Sequence, residues 1–118
     1  MHYVIAGAGP AAIAAAEHLR ELDADSEVTL IGAQSQPPYS RMAIPYFLTG
    51  KVGEEGTYLR RSQDHYQNHG LKLVHGEVTA VDPIGHAVTL SDGQQISYDK
   101  LLLATGAEPI IPPVSGMD

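Results

Sequence analysis

No part of this chain limits its possible folds more than the run Gly7-Ala8-Gly9-Pro10-Ala11-Ala12, a G-x-G-x-x-A pattern lodged between two stretches of different periodicity. Before it, His2 to Ala6 is a short β-branched and aromatic run that reads as a buried strand. After it, Ile13, Ala16, Leu19 and Leu22 recur at helical spacing through an alanine-rich stretch. Pro10 suits the first turn of that helix, where its missing N–H costs nothing. In this context each small residue has a physical task. Gly7 permits a tight turn, Gly9 lets the backbone approach a pyrophosphate, and Ala12 lets the helix pack closely on the sheet. The helix N-terminus then offers free N–H groups and the positive end of its dipole to an anion. Glu27 to Ile31 supplies the next strand, and a right-handed parallel crossover is the expected connection.

Further along, Met42 to Leu48 reads as a short helical turn, and Ser62 to His69, closed by Gly70, as a second helix. Leu71 to Val74 is a third candidate parallel strand. Val78 to Val81, His86 to Leu90 and Gln95 to Tyr98 are three short strands of another kind. The last two are joined across Asp92-Gly93, a hairpin signal because both residues tolerate positive φ. Lys100 to Ala104 returns to the apolar, buried parallel type and ends at Thr105-Gly106. The pattern predicts an α/β fold, a Rossmann-like parallel sheet flanked by helices, with an antiparallel three-stranded β-meander in its last crossover. At 118 residues it makes one domain.

Charge and composition narrow the function classes. Seven basic residues stand against fourteen acidic ones for a net charge of −7, and the basic ones are scattered. A nucleic-acid groove or an anionic membrane patch is therefore not expected, and small molecules or cationic surfaces are better partners. With no cysteine there is neither a disulfide framework nor a thiolate metal site. The absence of a signal-peptide pattern and of a long apolar span points to a cytoplasmic protein. His65 and His69 lie four apart on the expected second helix, but no third ligand accompanies them, so a solvated face is the better reading and no metal site is assigned. His2, His18, His75 and His86 are isolated and receive no role.

The dinucleotide fingerprint calls for an acidic residue at the end of the second strand to bind ribose hydroxyls. Here Leu30-Ile31-Gly32-Ala33 leads to Gln34, which can accept a hydrogen bond but brings no charge. Weaker ribose anchoring is expected, with the site retained.

Three further segments complete a pattern. Pro38-Tyr39-Ser40-Arg41 followed by Met42-Ala43-Ile44-Pro45-Tyr46, then the meander, then Ala104-Thr105-Gly106-Ala107-Glu108-Pro109 with Pro112, resembles the pyridine-nucleotide-disulfide oxidoreductase superfamily. The likeness is toward its rubredoxin-reductase, ferredoxin-reductase and nitrite-reductase types, and it rests on order and spacing together. In such proteins the first fingerprint binds FAD and a second, later one binds NADH or NADPH. No second fingerprint occurs here, so residues 1–118 would be the N-terminal part of an FAD domain, with nicotinamide-binding and C-terminal domains absent.

The resemblance implies that Gly7, Gly9, Pro10 and Ala11 surround the FAD pyrophosphate, that Gln34 sits at the adenosine ribose, and that Arg41 faces the cofactor's phosphates. Val78 would meet the adenine edge through its backbone, and Ala104, Thr105 and Gly106 would pass close to the cofactor. Met42 falls where NADH oxidases, NADH peroxidases and coenzyme A-disulfide reductases carry a redox cysteine. A thioether cannot become a thiolate, so the resemblance implies electron transfer from NAD(P)H through FAD to an acceptor with no local redox cysteine. That acceptor would be a small redox protein, a second prosthetic group or dioxygen, and the fragment alone would tend to self-associate. Two other readings stay open on the residues themselves: a single-Rossmann NAD(P)-dependent dehydrogenase, and a non-catalytic dinucleotide-binding module.

Overall fold

Alternation of side chains along the first strand decides how this domain is layered. In a computed structural model, which describes residues 1–33, 41–59, 66, 69–106 and 112–116, β1 (His2–Ala6) turns Ile5 toward one face of a sheet and Val4 toward the other, both fully buried. On the first face lies α1 (Pro10–Leu22), whose Ala12, Ile13 and Ala16 pack with Ile5, Val28, Leu30, Tyr66 and Leu71. Two alanines on the buried stripe keep this helix close to the strands, as the sequence pattern requires.

Among the described residues the sheet is four-stranded and wholly parallel. β2 (Glu27–Gly32) and β3 (Leu71–His75) follow on one side of β1, and the last strand of the chain, Lys100–Leu103, pairs with the other side. Between β3 and that strand runs the meander, β4 (Val78–Asp82), β5 (Ala87–Leu90) and β6 (Gln95–Ser97), which makes the last strand β7 and the sheet order β3-β2-β1-β7. The meander is antiparallel, with order β4-β5-β6 and a register shift between Val78 and Ala80. It covers the second face of the parallel sheet: Val88 and Leu90 meet Val4 and Ile31, flanked by Val74, Val78, Ile96, Tyr98 and Leu101. The domain is thus helix, parallel sheet, antiparallel sheet, a layering that buries both faces of β1 and β2.

Turn chemistry fixes the joins. Gly93 takes φ +88° between β5 and β6, where Asp92 Oδ1 also accepts from the Gln94 N–H. His86 adopts φ 54°, which places it in the turn before β5, and its ring stacks on Tyr98. At the far end of α1, Arg20 donates to four main-chain carbonyls, those of His69, Ala24, Ser26 and Gly70, at 2.6–3.0 Å. One guanidinium thereby ties the helix end to the turns that precede β2 and β3. The segment 42–48 is split into a 3-10 turn, Arg41–Ala43, and a short α2 (Ile44–Leu48), and a further 3-10 turn occupies Glu54–Thr57. Of the expected helix over 62–69, only Tyr66 and His69 are described: Tyr66 is helical and buried in the first core, His69 lies in a turn, and the remainder lies outside the described residues. No helix among the described residues is long and apolar enough to cross a membrane.

Candidate functional site

The parallel strands carry their C-terminal ends to one edge of the sheet, where open α/β sheets bind ligands. At that edge β1 gives way to the turn Gly7-Ala8-Gly9. Gly7 has φ +132°, and its N–H donates to the Ile31 carbonyl at 2.7 Å, which fastens the turn to the end of β2. On its other side Gly7 lies against the residues that follow β7. A methyl group built there would overlap the Ala104 carbonyl oxygen and stand 3.3 Å from the Thr105 nitrogen. Ala104 is itself held by an N–H bond of 2.8 Å to the Ala6 carbonyl. Glycine is thus required at position 7 twice, by dihedral angle and by space.

Gly9 is in the opposite situation. It caps α1 with φ −84° and ψ −171°, an extended conformation open to any residue, and among the described residues a methyl group built on it would meet no atom within 4 Å. The space in front of Gly9 is therefore a cradle that a side chain would fill. Pro10 and Ala11, the first helical residues, are exposed beside it. The cap residue, Gly9, has no side chain to bond the helix end and no acidic residue occupies the first turn, so nothing from Gly9 or the first turn competes for its free N–H groups. An extended phosphate group suits this donor set. The residues present fit the diphosphate of a dinucleotide.

The structure brings Gly7, Gly9, Pro10 and Ala11 together with Ala104, Thr105 and Gly106 at one sheet edge. Gly106 has φ +75°, and among the described residues nothing would lie within 4 Å of a methyl group built there. Val78 begins β4, two residues after Gly76, whose N–H donates to the Gly32 carbonyl at 2.8 Å. Its side chain packs into the second core. Gln34 lies outside the described residues, as does the side chain of Arg41.

Two residues that sequence reasoning passed over also converge here. A methyl group on Gly32 would come within 3.0 Å of the Ala8 side chain, so the phosphate turn rests on β2 where β2 has no side chain. His75, at the end of β3, has its Nε2 3.2 Å from the Ala33 carbonyl. A glycine at a strand end is a signal for close backbone approach and could have flagged Gly32. No such signal marks His75.

The family profile described as pyridine nucleotide-disulphide oxidoreductase matches residues 1–118. The chain belongs to this family. Among family relatives, the NADH-dependent phenylglyoxylate dehydrogenase subunit epsilon of Aromatoleum evansii is 35% identical over 116 residues, 98% of this chain and 28% of that protein. The ferredoxin–NAD(+) reductase component of the anthranilate 1,2-dioxygenase system of Burkholderia cepacia is 38% identical over 107 residues, 89% of this chain and 26% of that protein. The crystal structure of a covalent putidaredoxin reductase–putidaredoxin complex superposes with a TM-score of 0.84 at 30% identity, covering 98% of this chain and 28% of that one. The chain spans roughly a quarter of the length of these relatives.

Proposed function

We propose that residues 1–118 are the N-terminal, FAD-binding part of a longer NAD(P)H-dependent flavoprotein oxidoreductase that passes electrons to an external acceptor. The observation that carries this reading is the pairing of a space-filled Gly7, keyed to Ala104, with an open Gly9 at the N-terminus of α1. Gly7 sets the turn, Gly9 leaves room for a diphosphate, and the first turn of α1 donates N–H groups to it. Ala104 and Thr105 stand against Gly7 on the side of β7. When bound, the flavin would supply the hydride and electron transfer, which no side chain here can perform. The family match and the meander favour this reading over a single-Rossmann dehydrogenase.

The sequence contains no cysteine, and Met42 is 84% exposed, so these residues offer no thiol to relay electrons. We place the acceptor outside this part, and a small redox protein suits the company of relatives named for ferredoxin reduction and for a putidaredoxin complex. A second prosthetic group and dioxygen are the other acceptors to try. Purification of the complete protein should give about one FAD per chain, bleached by NADH or NADPH under anaerobic conditions. A colourless complete protein that takes up no added FAD would sink the reading.

The proposal extends to residues 1–118 expressed alone. Among the described residues β7 is an edge strand, and its Leu102 and Leu103 are 42% and 62% exposed. Unpaired strand edges carrying leucine favour self-association. The isolated piece should hold FAD poorly and run larger than a monomer in size-exclusion chromatography. A yellow, monomeric sample with stoichiometric flavin would contradict this.

A further inference from the structure

A run of three leucines leaves the placement of β7 open to a slip. The strand reads Lys100-Leu101-Leu102-Leu103, and among the described residues it has a single neighbour, β1. In the observed register these four stand beside Tyr3, Val4, Ile5 and Ala6. Moving a strand by one residue turns each of its side chains to the other face. In one direction that change costs β7 little. Leu102 and Leu103 would take the places of Leu101 and Leu102, and Ala104 that of Leu103, which is already 62% exposed. In the other direction Lys100 would come beside the fully buried Val4, where a charge is disfavoured. Apolar packing therefore excludes one slip and permits the other.

The residue before the strand separates the observed register from the permitted slip. Asp99 is bonded to His2 twice: its N–H donates to the His2 carbonyl at 2.9 Å, and its Oδ2 accepts from the His2 N–H at 2.6 Å. Any residue except proline could make the first bond. The second needs an acceptor. After the slip Lys100 would face His2, and an ammonium group has donors only. At the other end of β7 the bond from the Ala104 N–H to the Ala6 carbonyl is main chain again and does not discriminate between registers.

This register is felt at the cofactor edge. It sets the Ala104 carbonyl and the Thr105 nitrogen against Gly7, at the turn where φ is +132°. A slip of one residue would draw Ala104, Thr105 and Gly106 back along β1 by about 3.3 Å. We propose that Asp99 is a positioning residue for the cofactor's diphosphate: by pinning β7 from the opposite end of the sheet, it keeps Ala104 against the phosphate turn. The part concerning the cofactor rests on the FAD reading above.

The test uses the complete flavoprotein stripped of FAD, as wild type, Asp99→Ala and Asp99→Asn. Each is titrated with FAD and with ADP, and the melting of each apoprotein is recorded. Asp99→Ala should weaken FAD and ADP alike by about fivefold, the equivalent of one net hydrogen bond. Asp99→Asn should recover most of that, since its amide oxygen can accept from the His2 N–H. Apoprotein melting should hold within about 2 °C. Cysteine pairs read the register directly, because neighbouring strands bring paired Cα atoms within disulfide range. Tyr3→Cys with Lys100→Cys reports the observed register and Tyr3→Cys with Leu101→Cys the slipped one, as identified by peptide mapping. The slipped pair should cross-link only when Asp99→Ala is also present. Unchanged affinities in Asp99→Ala, an Asp99→Asn variant as weak as the alanine one, or no slipped cross-link would each overturn the assignment. So would a loss of affinity that tracks a fall in apoprotein stability, which would make Asp99 a structural residue only. A wild-type protein that binds no FAD removes the functional reading instead, and the cross-links still decide whether Asp99 pins the register.

Discussion

Replacing Gly9 by valine should separate folding from cofactor binding, because the two place opposite demands on that position. For folding, the backbone at φ −84° and ψ −171° accommodates a β-branched residue without strain, and no atom of the described residues lies within 4 Å of the new Cβ. Valine is a poorer helix cap than glycine, a loss of about 0.5–1 kcal/mol. Against that, removing glycine's freedom from the unfolded chain contributes about 0.4–1 kcal/mol. The two nearly cancel, so the apoprotein should melt within about 5 °C of wild type. For binding, the isopropyl group fills the cradle that the diphosphate needs. An affinity loss of at least about 100-fold is expected, equivalent to roughly 2.7 kcal/mol, and with it goes the stabilisation that a bound ligand confers. The assay is a flavin-to-protein ratio on the purified complete protein, paired with melting curves with and without added FAD. Wild-type flavin content in Gly9→Val would refute the placement of the pyrophosphate. Apoprotein destabilised well beyond 5 °C would refute the claim that the space is open.

At Gly7 the same logic runs the other way. Gly7→Ala must strain a φ of +132° and push on the Ala104 carbonyl, so it should destabilise even the apoprotein, by about 2 kcal/mol or more in denaturant titration, and an unshifted midpoint would contradict the fit. Arg20→Met keeps the aliphatic stem but drops four carbonyl partners; chemical denaturation should show a loss of about 1–3 kcal/mol, whereas FAD affinity, set at the other end of α1, should be unaffected. For electron transfer, anaerobic titration of the complete protein with NADH or NADPH should consume about one two-electron equivalent per flavin if no second redox group is present. A thiol-alkylating reagent should leave turnover intact, and inactivation would show that a cysteine elsewhere relays electrons.

Much of this architecture was legible because the signals are local and redundant. Strand, turn and helix at residues 2–22 are each marked by a change of period, and Asp92-Gly93 announces its hairpin in two residues. Where an observed strand end differs from the expected one it does so by one residue, as where β2 runs on through Gly32 and the φ of His86 delays β5 to Ala87. The 3-10 turn at Glu54–Thr57 was not legible, since four residues carry no period. Nor was the work of Arg20 and His75. Their partners are main-chain carbonyls, several of them more than 40 residues away, and a carbonyl has no letter in a sequence. Gly7 and Gly9 were recognisable as a pair, yet only the three-dimensional fold separates the one fenced in by Ala104 from the one that faces open space.

Docking of β7 beside β1 also governs the order in which the domain is assembled. Tyr3 pairs with Lys100, and the His2 N–H bonds Asp99 across a separation of 97 residues. At about 5–20 residues per second, a nascent chain must wait roughly 5–20 s after the first strand is made before its partner exists. Closing so long a loop is also slower than forming the β1–α1–β2 unit, whose contacts are local. Because Ala104 walls one side of Gly7, the phosphate turn reaches its final shape only when that closure happens. The phosphate turn thus waits on a strand made long after it, and cofactor uptake during refolding requires that β1 and β7 have met.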